Sequence, residues 1–334
     1  MDETGIREAL AAFGLLRPGE GVRLSPLAGG VSCDVLRAEA DGGAVFAVKR
    51  ALPRLRVATE WLAPVERVES EVRWLKLARA VDPRLAPEVL AEDQAAHLFV
   101  MRYLDPAAHP VWKTALAEGR AEAGFGAAVG RDLARIHAAT AHRPQVAAQF
   151  RTDELFMALR IDPFLLHVAA RDADAAPRLL ALAGDLRTRK TALVHGDISP
   201  KNILMGPDGP VFLDAECAVY GDPAFDLAFC LTHLLLKTVW LRDQAAGLMT
   251  AFEGLWGAYR PGVDWEPAQE VSCRAASLTA ALLLARIDGK SPAPYIESEA
   301  DKALVRGRAR ALLAEADLDL DRLALAWRAG GQGV

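Results

Sequence analysis

The sequence predicts an α+β protein of two lobes, a small β-rich lobe followed by a large, mainly helical lobe. Two observations favour this architecture. Strand patterns around glycine-containing turns dominate the first hundred residues, and helical patterns dominate after a linker, DPAAHP, at 105–110. We therefore expect an N-terminal lobe over 1–104, with a hinge near 100–104, and a C-terminal lobe over 105–334.

The N-terminal lobe is predicted to contain several strands and one helix. Strand-like apolar segments occur at 21–40, 44–52 and 97–104. The helix spans 64–81, because Val68, Val72 and Leu75 share one face at helical spacing.

Helical patterns account for most of the second lobe. They occur at 121–139, 176–189, 225–241, 243–257, 268–287 and 299–314. The exception is 193–216, LVHGDISPKNILMGPDGPVFLDAE, which is typical of two strands around the turn GPDG (206–209).

Composition and charge exclude several classes of protein. The chain has 334 residues, 52% hydrophobic and 25% charged, which is enough for a sizeable core. A net charge of −5 gives no support to a nucleic-acid partner. The apolar run 278–285 is too short to span a bilayer, and 225–241 is interrupted by His233 and Lys237, so we expect no membrane partner.

The N-terminus and the cysteines indicate a cytoplasmic protein. The segment MDETGIREAL lacks the basic start and apolar core of a signal peptide. The four cysteines are widely spaced and form no zinc pattern, so we expect reduced thiols at Cys33, Cys217, Cys230 and Cys273.

The most informative motif is His195-Gly-Asp197-x-x-x-x-Asn202, which has the spacing of a kinase catalytic loop. In such a loop a carboxylate orients a substrate hydroxyl and accepts its proton, and an amide oxygen helps to hold Mg²⁺. Asp214 ends the strand-like run PVFLD, and a strand–turn–strand would return it beside Asn202 as a further oxygen ligand. The alternative is a buried polar turn whose side chains only satisfy backbone groups.

Lys49 ends the strand-like run VFAVK, the position from which a kinase lysine points toward nucleotide phosphates. A surface lysine at a strand end is the alternative. Glu71 on the following helix is the favoured ion-pair partner of this lysine, and the rival partners are Glu60, Glu66 and Glu69.

A glycine turn precedes this lysine in the segment AGGVSCD. Gly29, Gly30 and the Ser32 hydroxyl are predicted to cover nucleotide phosphates. The segment lacks the full G-x-G-x-x-G pattern, so an ordinary hairpin turn is the alternative.

Taken together, these motifs resemble the aminoglycoside phosphotransferase and choline kinase family, small-molecule kinases with a protein-kinase-like fold. The matching segments lie between residues 27 and 228: LAGGVS, AVKR, FVMRYL, LARIH, LVHGDISPKNIL, FLDAE and YGDPAFDLA. The segment 48–71 and an Asp-x-Glu in place of Asp-Phe-Gly look most like the methylthioribose kinase branch.

The resemblance implies ATP and Mg²⁺ and gives roles to the catalytic motif. Asp197 would be the catalytic base, and Asn202 and Asp214 would hold Mg²⁺. Glu216, the second carboxylate of Asp-x-Glu, has two open roles, a metal ligand or a salt-bridge partner.

The resemblance also implies how the nucleotide and the catalytic loop are held. Lys49 would contact phosphates with Glu71 as its partner, and the chain around Met101 to Tyr103 would present backbone groups to adenine. Two residues would support the catalytic loop, His195 and Asp226.

The acceptor site is expected in the helical lobe. In LLLARIDGKSPAPYI (282–296), three charged residues interrupt an apolar helix end, and Arg286, Asp288 and Lys290 are predicted to line a polar pocket. The alternative is a solvated helix terminus.

The predicted function is transfer of the γ-phosphate of ATP to a hydroxyl of a small sugar-like, methylthioribose-like or aminoglycoside-like acceptor. Only the eight residues 217–224 separate Glu216 from the next predicted helix, which is too short for a peptide-docking segment. The alternatives are a non-catalytic nucleotide-binding module and a protein kinase.

Overall fold

The computed structural model describes residues 3–27, 33–52, 64–120 and 123–330. Its strands are, in chain order, β1 (Val22–Pro26), β2 (Cys33–Ala40), β3 (Val45–Ala51), β4 (Val89–Asp93), β5 (Leu98–Arg102), β6 (Ala192–Val194), β7 (Ile203–Gly206), β8 (Gly209–Phe212) and β9 (Val219–Gly221). The first five strands form one antiparallel sheet in the order β1-β2-β3-β5-β4, and two small two-stranded sheets, β6-β9 and β7-β8, lie later in the chain.

Helices make up most of the remaining structure. They are α1 (Glu3–Ala12), α2 (Arg67–Val81), α3 (Trp112–Ala117), α4 (Ala123–Thr140), α5 (Pro144–Gln149), α6 (Asp153–Phe156), α7 (His167–Ala169), α8 (Ala176–Thr188), α9 (Ala224–Trp240), α10 (Ala245–Tyr259), α11 (Ala268–Asp288), α12 (Glu299–Ala314) and α13 (Leu320–Ala329). A π-helical segment, Met157–Leu166, joins α6 to α7. Within the described residues, no helix combines the length and the hydropathy that crossing a membrane requires.

The five-stranded sheet places Lys49 at the centre of the N-terminal part. On β3, Lys49 lies opposite Val35 of β2 and Phe99 of β5. Because successive side chains of a strand point to opposite faces, Phe46 and Val48 face away from Lys49. They pack in a cluster that includes α1, so the other face of β3 is free to carry the lysine toward α2.

The core of the helical part is built around α9 and α11. Every residue from Ala224 to Val239 is buried, although this stretch of α9 includes Asp226, His233 and Lys237. Buried polar groups need partners or a function. We therefore expect each of these three side chains to contact a polar partner or to take part in a functional site.

The structure confirms the predicted α+β architecture, with a protein-kinase-like arrangement of sheet and helices. The prediction of a single helix in the first hundred residues is wrong, because the N-terminal segment also forms α1, whose Ile6 and Leu10 pack in the cluster on the outer face of the sheet. The first sheet ends at Arg102 and α3 begins at Trp112. The division at 104 and 105 stays a prediction.

Candidate active site

The loop after β6 is held in place by one buried carboxylate. Asp226 accepts hydrogen bonds from the backbone N–H of His195 at 2.6 Å and of Gly196 at 2.8 Å. Its Oδ2 also lies 3.3 Å from Nε2 of His137. These contacts are the ones expected of a residue that braces the loop from the following helix.

His195 stabilises the same loop as a neutral imidazole. Its Nδ1 accepts from the backbone N–H of Asp197 at 3.1 Å, so the proton lies on Nε2, which donates to the Leu213 carbonyl at 3.0 Å. Burial lowers the pKa of His195, in agreement with a neutral ring. Trp74 packs edge-on against the ring at 4.6 Å, which leaves His195 a structural role.

Gly196 allows the chain to turn between His195 and Asp197. Its φ of +80° is the left-handed conformation, and a Cβ there would lie 2.6 Å from the Cys217 carbonyl oxygen. A residue other than glycine would therefore strain the backbone and displace the strand connection beside it.

Asp197 emerges from this loop with one oxygen engaged and one open. Its Oδ2 lies 2.9 Å from Nδ2 of Asn202, 3.1 Å from Nζ of Lys201 and 3.2 Å from Nη2 of Arg160. Its Oδ1 has no hydrogen-bond donor among the residues that the structure describes. The carboxylate is thus oriented from one side and available to a substrate on the other.

Asn202 and Asp214 meet across the β7–β8 hairpin. The backbone N–H of Leu213 donates to the Asn202 carbonyl at 2.9 Å, so the strand–turn–strand returns Asp214 beside Asn202, as predicted. Asp214 itself has a φ of +68°, which is uncommon outside glycine and which aspartate tolerates better than most residues. Asn202 donates its amide nitrogen to Asp197, which leaves its side-chain oxygen for another partner.

Lys49 is the centre of a buried ionic cluster. Its Nζ lies 2.5 Å from Oδ1 of Asp214, 2.7 Å from Oε2 of Glu71 and 3.0 Å from Oε1 of Glu216. The lysine therefore ties the sheet to α2 and to the segment after β8. Burial raises the pKa of Glu71 to about 8, although Lys49 opposes that shift.

The structure distinguishes among the predicted partners of this lysine. Glu66 lies at the N-cap of α2, and Glu69 pairs with Arg73 at 3.5 Å. Glu60 lies outside the described residues, as do Gly29, Gly30 and Ser32 of the predicted phosphate-covering turn. The contact to Glu71 is the one that the structure describes.

Glu216 forms a salt bridge and also lies where a metal ligand is expected. Its Oε2 accepts from Nε of the buried Arg67 at 3.0 Å, and its Oε1 accepts from the Cys33 thiol at 2.7 Å. Oxygen atoms of Glu71, Asp214 and Glu216 all lie within 4.8 Å of one another. Both roles that the sequence left open are therefore compatible with its position.

A cavity of about 400 Å³ opens beside Asp197. Its lining comes from the loop after β6, the segment after β8, the π-helical segment, α3, α9, the end of α11 and the segment that follows α11: Lys113, Leu159, Arg160, Phe164, Asp197, Ser199, Pro200, Lys201, Asp214, Glu216, Cys217, Phe229, His233, Lys237, Arg286, Ser291, Pro292, Pro294 and Tyr295. A cavity of this kind, next to an oriented carboxylate, is where a small substrate would bind.

Arg160 is a site residue that sequence reasoning missed. It lies on the π-helical segment and bonds the carbonyl oxygens of Gly196 and Leu159 as well as the Asp197 carboxylate. The segment contains Pro163 and follows a π-helical bonding pattern, so it gave no regular 3.6-residue signal.

Of the three predicted acceptor residues, only Arg286 lines the cavity. The placement of the other two in the pocket is corrected. Asp288 pairs with Arg306 at 2.9 Å, and Lys290 donates to Asp162 at 2.6 Å. Both are engaged at the solvated helix end that was the alternative interpretation.

The end of α11 is pinned to the π-helical segment. The backbone N–H of Lys290 donates to the Pro163 carbonyl at 2.9 Å, and a Cβ on Gly289 would lie 2.9 Å from the same oxygen. Arg160 and Arg286 are therefore held on two elements that touch at Gly289.

The predicted adenine-binding segment lies at the end of β5. Met101 pairs with Ala47 of β3, and Tyr103 follows the strand directly, with the Arg37 guanidinium 5.3 Å from its ring centroid. The position is compatible with the predicted backbone contacts to a base.

The connector after Glu216 is short and buried. β9 pairs antiparallel with β6, and α9 begins at Ala224, one residue before the predicted start. All residues from 217 to 224 are buried. This segment gives a protein substrate no exposed surface on which to dock.

The sheet with its central lysine and the helical part with its Asp-containing loop have the arrangement of the protein-kinase-like fold. The chain belongs to the phosphotransferase enzyme family, whose sequence model matches residues 23–271.

Similar proteins include methylthioribose kinase 1 of Oryza sativa subsp. japonica, which is 28% identical over 224 residues. That alignment covers 59% of this chain and 52% of the rice protein. The chain thus spans about half the length of the first curated relatives that it matches.

Two solved structures have the same fold. An amicoumacin kinase in complex with AMP-PNP and Ca²⁺ has a TM-score of 0.58 and 15% identity, with 97% of each chain covered. A choline/ethanolamine kinase family protein from Mesorhizobium loti has a TM-score of 0.52 and 18% identity, covering 97% of this chain and 99% of the other.

Proposed function

We propose that the protein transfers the γ-phosphoryl group of ATP to a hydroxyl group of a small molecule. The observation that carries the proposal is the open Oδ1 of Asp197, which belongs to an oriented carboxylate on the wall of a cavity of about 400 Å³. Asp214 lines the same cavity and pairs with Lys49, the residue expected to contact nucleotide phosphates. The named relatives, which are methylthioribose kinases, support an activity of this class.

The donor set fits a hard divalent cation. Asn202 offers an amide oxygen, and Asp214 and Glu216 offer carboxylate oxygens, which are the ligands that Mg²⁺ prefers. These three residues would hold Mg²⁺, which supplies charge neutralisation to the phosphates when it is bound.

The protein's own groups position the reactants. Lys49 is fixed by Glu71 and Asp214, so its ammonium group is oriented for a nucleotide phosphate. Asp197 would accept the proton of the acceptor hydroxyl at Oδ1 while Arg160 and Lys201 hold Oδ2. Phosphoryl transfer needs positioning and charge stabilisation more than covalent chemistry, and these contacts supply both.

The competing functions have less support. A non-catalytic module would have no need for Asn202 to orient Asp197 next to the buried pair of Lys49 and Asp214. A protein kinase would need a docking segment, whereas residues 217–224 are buried. A cytoplasmic location fits both an ATP supply and the free thiols, which include the buried Cys33 and Cys230.

The proposed activity is tested by measuring ADP release with ATP, Mg²⁺ and a panel of small hydroxylated acceptors. We expect one or more acceptors to raise ADP release well above the acceptor-free rate, with a phosphorylated product detected by mass spectrometry. Phosphorylation of generic proteins without turnover of any small alcohol would instead support a protein kinase.

The metal assignment gives a separate prediction. Asp214→Asn should weaken binding of the Mg²⁺–ATP complex by about tenfold or more, because a charged ligand is lost and Lys49 loses a partner. Calorimetric titration with a non-hydrolysable ATP analogue measures this. Asp288→Asn, which alters a carboxylate paired with Arg306 outside the cavity, is the matched control and should bind normally. Equal affinity of wild type and Asp214→Asn would remove Asp214 from the metal site.

A further inference from the structure

One wall of the cavity beside Asp197 is strongly basic. It is formed by Lys113 of α3, Lys237 of α9 and Arg286 of α11, all of which line the cavity. Lys237 is 1% exposed and Arg286 is 8% exposed. Two of these cationic side chains are thus buried in the protein, and both border the same cavity.

Neither buried cation has an acidic partner in the described part of the chain. Arg286 donates Nη1 to the carbonyl and hydroxyl of Ser291, and its Nε is buried without a hydrogen-bond partner. The Lys237 ammonium group lies 4.3 Å from the ring centroid of Tyr295 and 5.2 Å from that of Trp240. Burying a charge without a counter-ion is costly, so this arrangement needs a reason.

The carboxylates that line the cavity do not supply the missing charge. Asp197 is contacted by Arg160 and Lys201, and Asp214 is paired with Lys49. Glu216 pairs with Lys49 as well. Each of these carboxylates is in contact with a cation other than those of the basic wall.

The aromatic rings near the wall argue against a cationic ligand. Tyr295 and Trp240 offer the kind of ring faces that could bind a quaternary ammonium group, but Lys237 lies against both. A cationic acceptor would meet this lysine and Arg286 and would be repelled.

We infer that the acceptor is an anion that presents a carboxylate or phosphate group to Lys237 and Arg286 while its hydroxyl faces Asp197. The inference rests on the proposed function, because it names the substrate class of the same site. The anionic group would supply the counter-charge that the basic wall lacks. A guanidinium and an ammonium group are suited to either oxyanion, so the chemistry shared by carboxylate and phosphate is what is proposed.

Direct binding tests this inference without phosphoryl transfer. Orthophosphate, gluconate and sorbitol are titrated calorimetrically into the wild type, Lys237→Met, Arg286→Met and Lys290→Met at constant ionic strength. Gluconate and sorbitol are matched polyols that differ in one carboxylate. Lys290→Met is the control, because it removes a cation near the end of α11 that pairs with Asp162 outside the cavity.

We expect gluconate to bind the wild type about tenfold more tightly than sorbitol. Lys237→Met and Arg286→Met should abolish that preference, and Lys290→Met should keep it. Orthophosphate binding with the same dependence on Lys237 would indicate a phosphate-bearing acceptor, and gluconate binding alone would indicate a carboxylate.

Three results would overturn the inference. They are equal binding of gluconate and sorbitol, an anion preference that persists in Lys237→Met, and absence of binding by all three probes. Weaker binding of an ATP analogue by Lys237→Met, with gluconate unaffected, would show that the wall serves the nucleotide. Failure of the ADP-release assay alongside Lys237-dependent anion binding would overturn the phosphotransferase proposal and leave the anion site standing.

Discussion

Replacing Asp197 with asparagine is expected to lower kcat by about a thousandfold and to leave the affinity for ATP nearly unchanged. The amide keeps the size and one oxygen of the carboxylate but does not accept the proton of the acceptor hydroxyl. Steady-state ADP release gives kcat, and calorimetric titration with a non-hydrolysable ATP analogue gives the affinity.

Asp208→Asn is the matched control for this variant. Asp208 is an exposed aspartate in the β7–β8 turn of the same segment, outside the cavity, so its replacement should leave kcat within about twofold. An Asp197→Asn variant that kept more than a tenth of the wild-type kcat, or that lost ATP binding to the same extent as Asp214→Asn, would contradict the role assigned to Asp197.

Replacing Lys237 with methionine is expected to raise the free energy of unfolding at pH 7 by roughly 2 to 4 kcal/mol. Burial lowers the pKa of Lys237 to about 7, and Lys113 and Arg286 add to this effect. Methionine matches the length of the lysine stem, so it removes the buried charge without opening a large cavity. Urea denaturation of the two proteins measures the difference.

The difference in the free energy of unfolding between Lys237→Met and the wild type should depend on pH. Between pH 7 and the usual lysine pKa of 10.5, the unfolded chain holds a proton on Lys237 that the folded chain has released. The free energy of unfolding of the wild type should therefore rise with pH across that window. The stability advantage of Lys237→Met over the wild type should shrink by the same amount.

The groups around Lys237 do not cancel this effect. The pKa of His233 is lowered well below its usual value by burial, so its ring is neutral throughout the window, and burial raises the pKa of Tyr295 to about 12. Glu71, whose pKa is raised by burial, contributes equally to both proteins and drops out of the comparison.

A surface lysine provides the control for the stability measurement. Lys302 pairs with the exposed Glu299 at 2.8 Å, and such pairs contribute little. Lys302→Met should change the free energy of unfolding by less than about 1 kcal/mol at every pH. A Lys237→Met protein that is less stable than the wild type, or an advantage that does not vary with pH, would show that the lysine is compensated by a partner.

The relative positions of Asp197, Asn202 and Asp214, the proposed catalytic and metal-binding residues, were predictable because their geometry is local. Asp197 and Asn202 lie on one short loop, and a hairpin of ten residues returns Asp214 beside them. Side chains in one short supersecondary unit have few ways to be arranged, so spacing alone indicated how they meet.

The basic wall of the cavity was not predictable in the same way. Lys113, Lys237 and Arg286 come from three helices that meet only through tertiary packing, and Arg160 lies on a π-helical segment without a regular period. The sequence did carry one signal for Lys237, a lysine inside an apolar helical run. We used it only to exclude a membrane span, although a charge inside a buried helix also indicates a functional site.

The hydrogen bond from the Lys290 backbone N–H to the Pro163 carbonyl, beside Gly289, couples two parts of the cavity wall. It joins the elements that carry Arg286 and Arg160, although Pro163, Gly289 and Lys290 do not themselves line the cavity. A Cβ at 289 would clash with the Ala285 carbonyl oxygen and would lie 2.9 Å from that of Pro163, so a side chain there would shift the end of α11 against the π-helical segment. Because Arg160 on that segment contacts the Asp197 carboxylate, the shift would also reach Asp197. In evolutionary terms, a single substitution outside the cavity could therefore change both the shape of the cavity and the orientation of Asp197.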